Sequence, residues 1–565
     1  MKEVYRSANG LSHGVSSDKF KIASVIQNWE TIAVMEEEFD YIVVGAGSAG
    51  CVLANRLSAK PGNRVLLLEA GGRDSYPWIH IPVGFFKTML NPKTDWCYYT
   101  EPDPGLNGRS IPWPRGKVLG GSSSINGLVY IRGQSNDYDQ WRQLGNAGWS
   151  WDDVLPYFMK AEDQERGASE AHGAGGPLGV SDIGFTRGFS DAFIDAAEET
   201  GIPRTDDFNN GDQEGAGYFQ LTTRNGRRCS SAVGYLRPIK NRNNLTITTR
   251  ALVRRIVFEG KRAVGVEYEV DGQTRVSRAK GEIVLSSGTI GSPQILQLSG
   301  VGPGAVLGEF GVPVVHESSG VGENLQDHLQ TRAIYKTNQP SLNDEVNSLF
   351  RKALIGLEYA LFRKGPLTLA AGHVGIFAKT RQDLETPDIQ FHLIPLSTKG
   401  PGEGLHEFSA FTSSVCQLRP ESRGKIVIKS PNPTDYPAIH PNYLSTVTDQ
   451  QTMVAAMKLS RKIMATPTMK ALITEEFLPG QGVQSDEDLL QHLRDYAGTI
   501  YHPVGTCKMG SDTLAVVDER LRVHGVEGLR VADASIMPTL VSGNTNAPAI
   551  MIGEKAADMM LEDAR

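Results

Sequence analysis

Gly45-Ala46-Gly47-Ser48-Ala49-Gly50 has the residue types and spacing to seat a pyrophosphate. Glycine at the first position permits a tight turn, and at the third it lets phosphate approach the backbone. At the sixth it lets a helix pack closely on a strand, and the first N–H groups of that helix then face the anion. Glu69 follows at the spacing of a ribose-binding acid. An acid there suits a free 2′-hydroxyl, so NADP is disfavoured and FAD and NAD remain. Gly116-Lys117-Val118-Leu119-Gly120-Gly121-Ser122-Ser123-Ser124-Ile125-Asn126 is a second glycine-rich run. Successive free N–H groups make anion-binding concavities, and this run could wrap a pyrophosphate and a flavin edge. Near the other terminus Leu529-Arg530-Val531-Ala532 reads as a strand stopped by Asp533. A second strand-end acid so far from the first suits a long cofactor clamped by both ends of the chain. These two features favour FAD over NAD.

The elements that must position these residues are legible around them. Tyr41-Ile42-Val43-Val44 is an apolar run of strand length before the first turn, and Val52, Leu53 and Leu57 after it fall at helical spacing. Val65-Leu66-Leu67-Leu68 is a second strand, ending in Glu69. Strand, glycine turn, helix, strand, acid is the order of a dinucleotide-binding unit. The 565 residues include 61 glycines, against roughly 40 for average usage. With 40% hydrophobic and 21% charged residues the chain is globular, and its length predicts two or more domains. A net charge of −7 argues against nucleic acid as a partner and against a polybasic membrane anchor. The five cysteines are scattered and show no Cys-x-x-Cys, which suggests neither a disulfide framework nor a zinc site and fits a reducing compartment. No metal is expected. No apolar run reaches the length of a spanning helix. Residues 1–34 mix Lys2, Arg6, Lys19 and Lys21 with Glu3, Asp18 and Glu30 and read as an extension without an assigned role.

From residue 39 to the C-terminus the sequence resembles the glucose-methanol-choline (GMC) family of FAD-dependent oxidoreductases. Residues 116–139, GKVLGGSSSINGLVYIRGQSNDYD, resemble its first signature, and 288–302, GTIGSPQILQLSGVG, its second. Residues 501–510, YHPVGTCKMG, and 542–558, SGNTNAPAIMIGEKAAD, look like its active-site segments. The resemblance implies a Rossmann-like FAD-binding domain (α/β) interleaved with a substrate domain (α+β) built on an antiparallel sheet flanked by helices. The expected boundaries are 35–185, 228–329 and 500–565 for the FAD-binding domain, and 186–227 and 330–499 for the substrate domain. Within the latter, 349–361 and 453–463 read as amphipathic helices, and 388–392 and 425–428 as strands.

The same resemblance assigns roles. His502 is matched to the family's catalytic histidine, taking the hydroxyl proton while a hydride reaches flavin N5. Asn544 is matched to its partner, donating to the substrate oxygen. The helix expected near Pro548 points its N-terminus at the flavin pyrimidine edge. The residues expected to hold FAD are Gly45, Gly47, Ser48, Ala49, Gly50, Glu69, Ala70, Gly116, Leu119, Gly120, Gly121, Ser122, Asn126, Gly127, Val129, Val253, Asp533, Ala534, Asn546 and Ala547. Family members with covalent FAD carry a histidine where Ile125 stands, so non-covalent FAD is expected. Choline-oxidising members carry a glutamate where Gln330 follows Asp327-His328-Leu329, which leaves a quaternary ammonium without a counter-ion. Gln330 and His373 are candidates for the substrate pocket, although an ordinary core position suits His373 better. Arg227-Arg228 and Arg254-Arg255 read as solvated pairs or as lying near phosphate.

The implied activity is oxidation of an aliphatic or aromatic primary alcohol to the aldehyde, with electrons passed to a quinone or another carrier. An oxidase using O2 and making H2O2 is the alternative, and choline dehydrogenase another. A lyase is less favoured. A photodecarboxylase is disfavoured because Leu418 stands where its cysteine belongs, before Arg419-Pro420. The expected location is cytoplasmic, with peripheral attachment to the inner membrane and a homodimer left open.

Overall fold

A computed structural model describes residues 37–346, 348–400 and 403–564. The extension at 1–34 lies outside the described residues. The strand Glu37–Val44 buries Tyr41 through Val44 on both faces, as a central parallel strand must. It pairs in parallel with Val65–Glu69 on one side and with Gln273–Leu285 on the other. The sheet runs Leu245–Thr249, Val65–Glu69, Glu37–Val44, Gln273–Leu285, Arg262–Val270, Ala251–Glu259. Leu529–Val531 adds to it in parallel beside Gln273–Leu285, so the far C-terminal segment joins the N-terminal strands. All parallel strands end toward one edge, where ligands of open α/β sheets bind.

The helix Ser48–Leu57 leaves the first turn and packs along the C-terminal helix Asn546–Asp563. Gly553 makes the approach close, since a Cβ there would lie 2.9 Å from the Ala49 carbonyl oxygen. Arg56 and Glu554 pair across the two helices at 2.7 Å. The C-terminal helix starts two residues before Pro548, which sits in its first turn, where a missing N–H costs nothing.

A second sheet is antiparallel throughout. Its order is Ile473–Leu478, Leu329–Thr337, Ala410–Gln417, Ile389–Ile394, Val374–Ala378, Gly215–Tyr218. One face carries Tyr335, Phe391, Leu393, Phe411 and Val415 into a core with the helices Gly188–Glu199 and Val447–Met464. Strand periodicity then sends Gln330, Arg332, Ile334, His392, Ile394, Thr412 and Ser414 to the other face. Register places Arg332 and His392 on either side of Ser414, and Ile334 and Ile394 on either side of Thr412. The expected strand at 425–428 is not part of this sheet. Lys425–Val427 pairs with Ala438–His440, and the Ile426 N–H is held instead by the Gly322 carbonyl.

Candidate active site

The C-terminal edge of the parallel sheet and the polar face of the antiparallel sheet enclose one cavity of about 960 Å³. That is the upper end of ordinary ligand pockets and suits a large ligand. At the parallel-sheet end Gly45 has φ 98° and faces the Ser286 carbonyl, so the turn itself demands glycine there. Gly47 is different. It has φ −78°, and a Cβ on it would meet nothing closer than Ser286 O at 3.7 Å. Nothing in the protein requires glycine at 47, and the position borders the cavity. A ligand pressed against that backbone accounts for it. Ser48 Oγ donates to Asn546 Oδ1 at 2.8 Å, so the N-termini of two helices meet at this wall. Both aim N–H groups and positive dipole ends at one region, as an anionic pyrophosphate needs.

Glu69 closes the strand Val65–Glu69. Its two carboxyl oxygens accept the N–H groups of Ala46 (2.9 Å) and Gly71 (2.8 Å). Burial pushes this carboxyl up to about 7, against the pull of those N–H donors. Each oxygen keeps acceptor capacity for a ribose hydroxyl. Asp533 is likewise raised by burial, and it accepts from Gly288 N–H, Ser292 Oγ and Ser535 N–H. It thereby ties the Leu529–Val531 strand to the helix Gly288–Leu298. These residues fit an FAD: glycine backbone without a packing reason, two helix N-termini and two strand-end acids around a cavity of sufficient size.

Of the residues expected to hold it, all but Gly50, Leu119, Gly120 and Ala547 line the cavity. Gly50 is needed for packing, because a Cβ there would lie 1.9 Å from Gly45 O. Leu119 and Ala547 pack into the main core, and Gly120 turns the loop at φ 88° while its N–H donates to Ala46 O. His373 is corrected as well. It is buried and stacks on Phe185, Ser190 Oγ lies 3.0 Å from its Nδ1, and its Nε2 donates to Phe185 O at 2.8 Å. It does not border the cavity, whereas Gln330 does. Arg228 is not solvated. It is buried behind the second glycine loop, donating to Asn126 Oδ1, Asn126 O, Ser123 O and Ile79 O. Burial draws its pKa down to about 9. Arg254 and Arg255 pair with Glu267 at the surface.

Further along the cavity wall His328, His502 and Asn544 come together. Residues 326–330 and 498–504 run antiparallel, joined by Gln326 and Val504 and by Ile500 N–H to His328 O, which sets His328 beside His502. His328 Nε2 faces the Leu418 carbonyl at 3.0 Å and must carry the hydrogen. Burial lowers the His328 pKa to about 4, so this ring is neutral and its Nδ1 is an acceptor. His502 Nδ1 lies 3.1 Å from that Nδ1 and is therefore the donor. The lone pair of His502 is thus fixed on Nε2, 3.1 Å from Asn544 Nδ2, which donates to it. Asn544 Oδ1 accepts from Gln390 Nε2 at 3.4 Å, which orients the amide. Its loop is held by Asp137, whose carboxylate takes the N–H and Oγ of Ser542. Asp327 accepts the His502 N–H at 2.8 Å together with Thr499 Oγ1 and the Tyr443 hydroxyl. Burial pushes Asp327 up to about 6. Tyr501, just before His502, has φ 73°, a strained conformation that the surrounding contacts hold.

His502 is buried, and desolvation together with His328, His392 and Arg115 holds its pKa well below that of a free imidazole. A base acts only when neutral. A lowered pKa keeps the neutral form fully populated near pH 7 and removes it only as pH falls. The acid limb of kcat/KM should therefore lie below pH 6.5; a limb above that value would contradict a neutral His502.

Sequence reading missed His392. It is 3% exposed, borders the cavity, and has no hydrogen-bond partner on either ring nitrogen. Only its alternation in the strand Ile389–Ile394 points to the cavity face. It also missed Arg115, whose guanidinium donates to Tyr501 O at 2.7 Å.

The GMC oxidoreductase family models match residues 39–330 and 420–553. The chain is 45% identical to the alcohol dehydrogenase (acceptor) of Pseudomonas putida, covering 93% of this chain and 96% of that protein. It is 44% identical to human mitochondrial choline dehydrogenase, over 93% and 90% of the two chains. Among solved structures, pyridoxine 4-oxidase from Mesorbium loti superposes with a TM-score of 0.83 at 32% identity, covering 92% and 98%.

Proposed function

The chain belongs to the GMC oxidoreductase family, and from that premise we propose that it oxidises a primary alcohol, aliphatic or aromatic, to the aldehyde and passes the electrons to a quinone or another carrier. It is an FAD-dependent oxidoreductase acting on the CH–OH group of its donor. The observation that carries the reading is the lone pair of His502 Nε2, fixed beside Asn544 Nδ2 on the wall of the FAD-sized cavity. FAD, when bound, supplies the acceptor for the hydride that leaves the carbinol carbon. The chain's own part is the proton. The substrate hydroxyl takes over as donor to His502 Nε2 and gives up its proton there. Asn544 Nδ2 donates to the substrate oxygen and holds it in place.

The sheet face that floors the cavity carries Gln330, Arg332, His392, Thr412 and Ser414 and no carboxylate; the carboxylates on the cavity wall are Glu69 and Asp533 at the parallel-sheet end and Glu403 from a loop outside this sheet. Gln330 is buried and donates to Thr499 O at 3.2 Å. A quaternary ammonium has no counter-ion on this floor, while Ile334 and Ile394 suit an alkyl or aryl chain. Choline should therefore be a much poorer substrate than an aliphatic or aromatic primary alcohol. Dye-linked turnover over a panel of alcohols tests this, and equal kcat/KM for choline would overturn it. Peroxide formation in air, compared with quinone or dye reduction, tests the choice of acceptor.

Ile125 borders the cavity within a small apolar cluster with Ile79 and Val118, and it has no atom that could bond to a flavin. Acid precipitation should release the yellow chromophore into the supernatant. Colour retained in the pellet would contradict non-covalent FAD.

A further inference from the structure

The helix Leu349–Phe362 is built the wrong way round for water. Its outward face carries Leu349, Phe350, Leu354, Leu357, Leu361 and Phe362, each between 48% and 83% exposed. Ala353 and Ala360 lie between them, also exposed, so the stripe is continuous along a helix of about 21 Å. The other side holds Tyr359, buried and donating from its hydroxyl to Gly226 O, and Ile355, which borders the cavity. A helix at a protein surface ordinarily turns its polar side out, and an apolar patch of this extent marks an interaction surface.

Charge identifies what would cover it. Arg351 and Lys352 stand at one end of the helix and Arg363 and Lys364 just past the other, all exposed, with Glu358 as the acid among them. This is a basic-flanked apolar stripe on a chain whose net charge is −7. A second copy of the chain is a poor cover. Both ends are basic, so pairing the helix with itself in either direction sets like charges against each other. An anionic lipid surface satisfies both features at once, taking apolar side chains below the headgroups and basic ones among them. No helix among the described residues is long and apolar enough to cross a membrane, so this one would lie on the surface.

The stripe also sits at the opening of the cavity. Lys352 and Ile355 border it, as do Phe86, 41% exposed, and Lys87 from a neighbouring segment. The two segments touch through Pro82–Gly84 and Pro366–Thr368. We propose that the helix Leu349–Phe362, with Phe86 beside it, seats on an anionic bilayer surface and turns the cavity opening to the lipid, where apolar alcohols collect. The seating stands independently of the reaction, and the delivery of alcohol rests on the function proposed above.

The test is flotation of the full-length, FAD-loaded protein with vesicles of phosphatidylglycerol and phosphatidylethanolamine, against pure phosphatidylcholine, at low and high salt. The protein should float with the anionic vesicles, less so at high salt, and stay in the aqueous fraction with phosphatidylcholine. Phe350→Glu with Leu361→Glu should abolish flotation and leave turnover of a short soluble alcohol unchanged, since both residues are exposed and away from the cavity lining. Arg351→Glu with Lys364→Glu should remove the preference for anionic lipid. Phe350→Trp should show a blue-shifted emission on binding. The proposal is overturned if the wild type never floats or if Phe350→Glu with Leu361→Glu floats as well as the wild type. It is equally overturned if that variant only converts a solution dimer to monomer. Flotation reads no redox chemistry, so failure of the alcohol reading would show separately, in the flavin spectrum.

Discussion

Replacing His502 with alanine should lower turnover by roughly 10²–10⁴-fold, the loss typical of a general base, while FAD stays bound. The effect is large because the lone pair on His502 Nε2 is prepared by its surroundings. Leu418 O fixes the tautomer of His328, His328 fixes that of His502, and Asp327 holds the His502 backbone. Removing the ring leaves the Asn544 amide, which can orient a hydroxyl and has no basic atom to take its proton. The same variant should lose the acid limb of kcat/KM that His502 causes. Bound flavin is unaffected because the glycine turn, Glu69 and Asp533 lie in other segments of the cavity wall. Steady-state kinetics and the visible spectrum of the variant check both halves. Near-normal turnover would remove His502 from the mechanism.

Gly47→Leu should yield a folded, colourless protein. A Cβ at 47 meets no protein atom closer than 3.7 Å, so the turn itself accepts a side chain there, and position 47 borders the cavity where two helix N-termini converge. Displacing a pyrophosphate from one or two of those N–H donors removes about 1.5–3 kcal/mol each. FAD affinity should fall by at least about 10- to 100-fold. The contrast with the neighbouring glycines makes the prediction specific. Gly45→Ala places a Cβ 2.6 Å from Ser286 O at φ 98°, and Gly50→Ala places one 1.9 Å from Gly45 O. Those two should lower thermal stability, while Gly47→Leu should leave the melting temperature of the flavin-free protein near that of the wild type. FAD-to-protein ratio and thermal melts separate the outcomes. A yellow Gly47→Leu protein with normal FAD content would contradict the assigned ligand path.

The parallel sheet was legible because its signals are local: an apolar run, a glycine turn, helical spacing and a strand-end acid within a few tens of residues. The pairing of His502 with Asn544 was legible only through resemblance, since a histidine in a Pro/Gly turn and an asparagine 42 residues later carry no spacing rule of their own. What stayed hidden depends on distant pairing. His328 and His502 meet across 174 residues because two segments run antiparallel. The cavity floor exists because Arg332, His392 and Ser414 share a register set by three strands, and no single strand reveals it. His373 and His392 look alike in the sequence, yet one is satisfied by Ser190 and Phe185 while the other faces the cavity without a partner. Arg227 and Arg228 are adjacent in sequence, and strand alternation exposes the first and buries the second behind the glycine loop. The apolar periodicity at 349–361 correctly marks a helix, but periodicity alone does not say which side faces out.

The most direct measurement is anaerobic mixing of the FAD-loaded protein with a long-chain or aromatic primary alcohol, following the flavin absorbance in time. The flavin should bleach, aldehyde should appear in equal amount, deuterium at the carbinol carbon should slow the bleaching, and His502→Ala should slow it by roughly 10²–10⁴-fold. A flavin that keeps its absorbance with every alcohol offered would contradict the assignment of this site to alcohol oxidation.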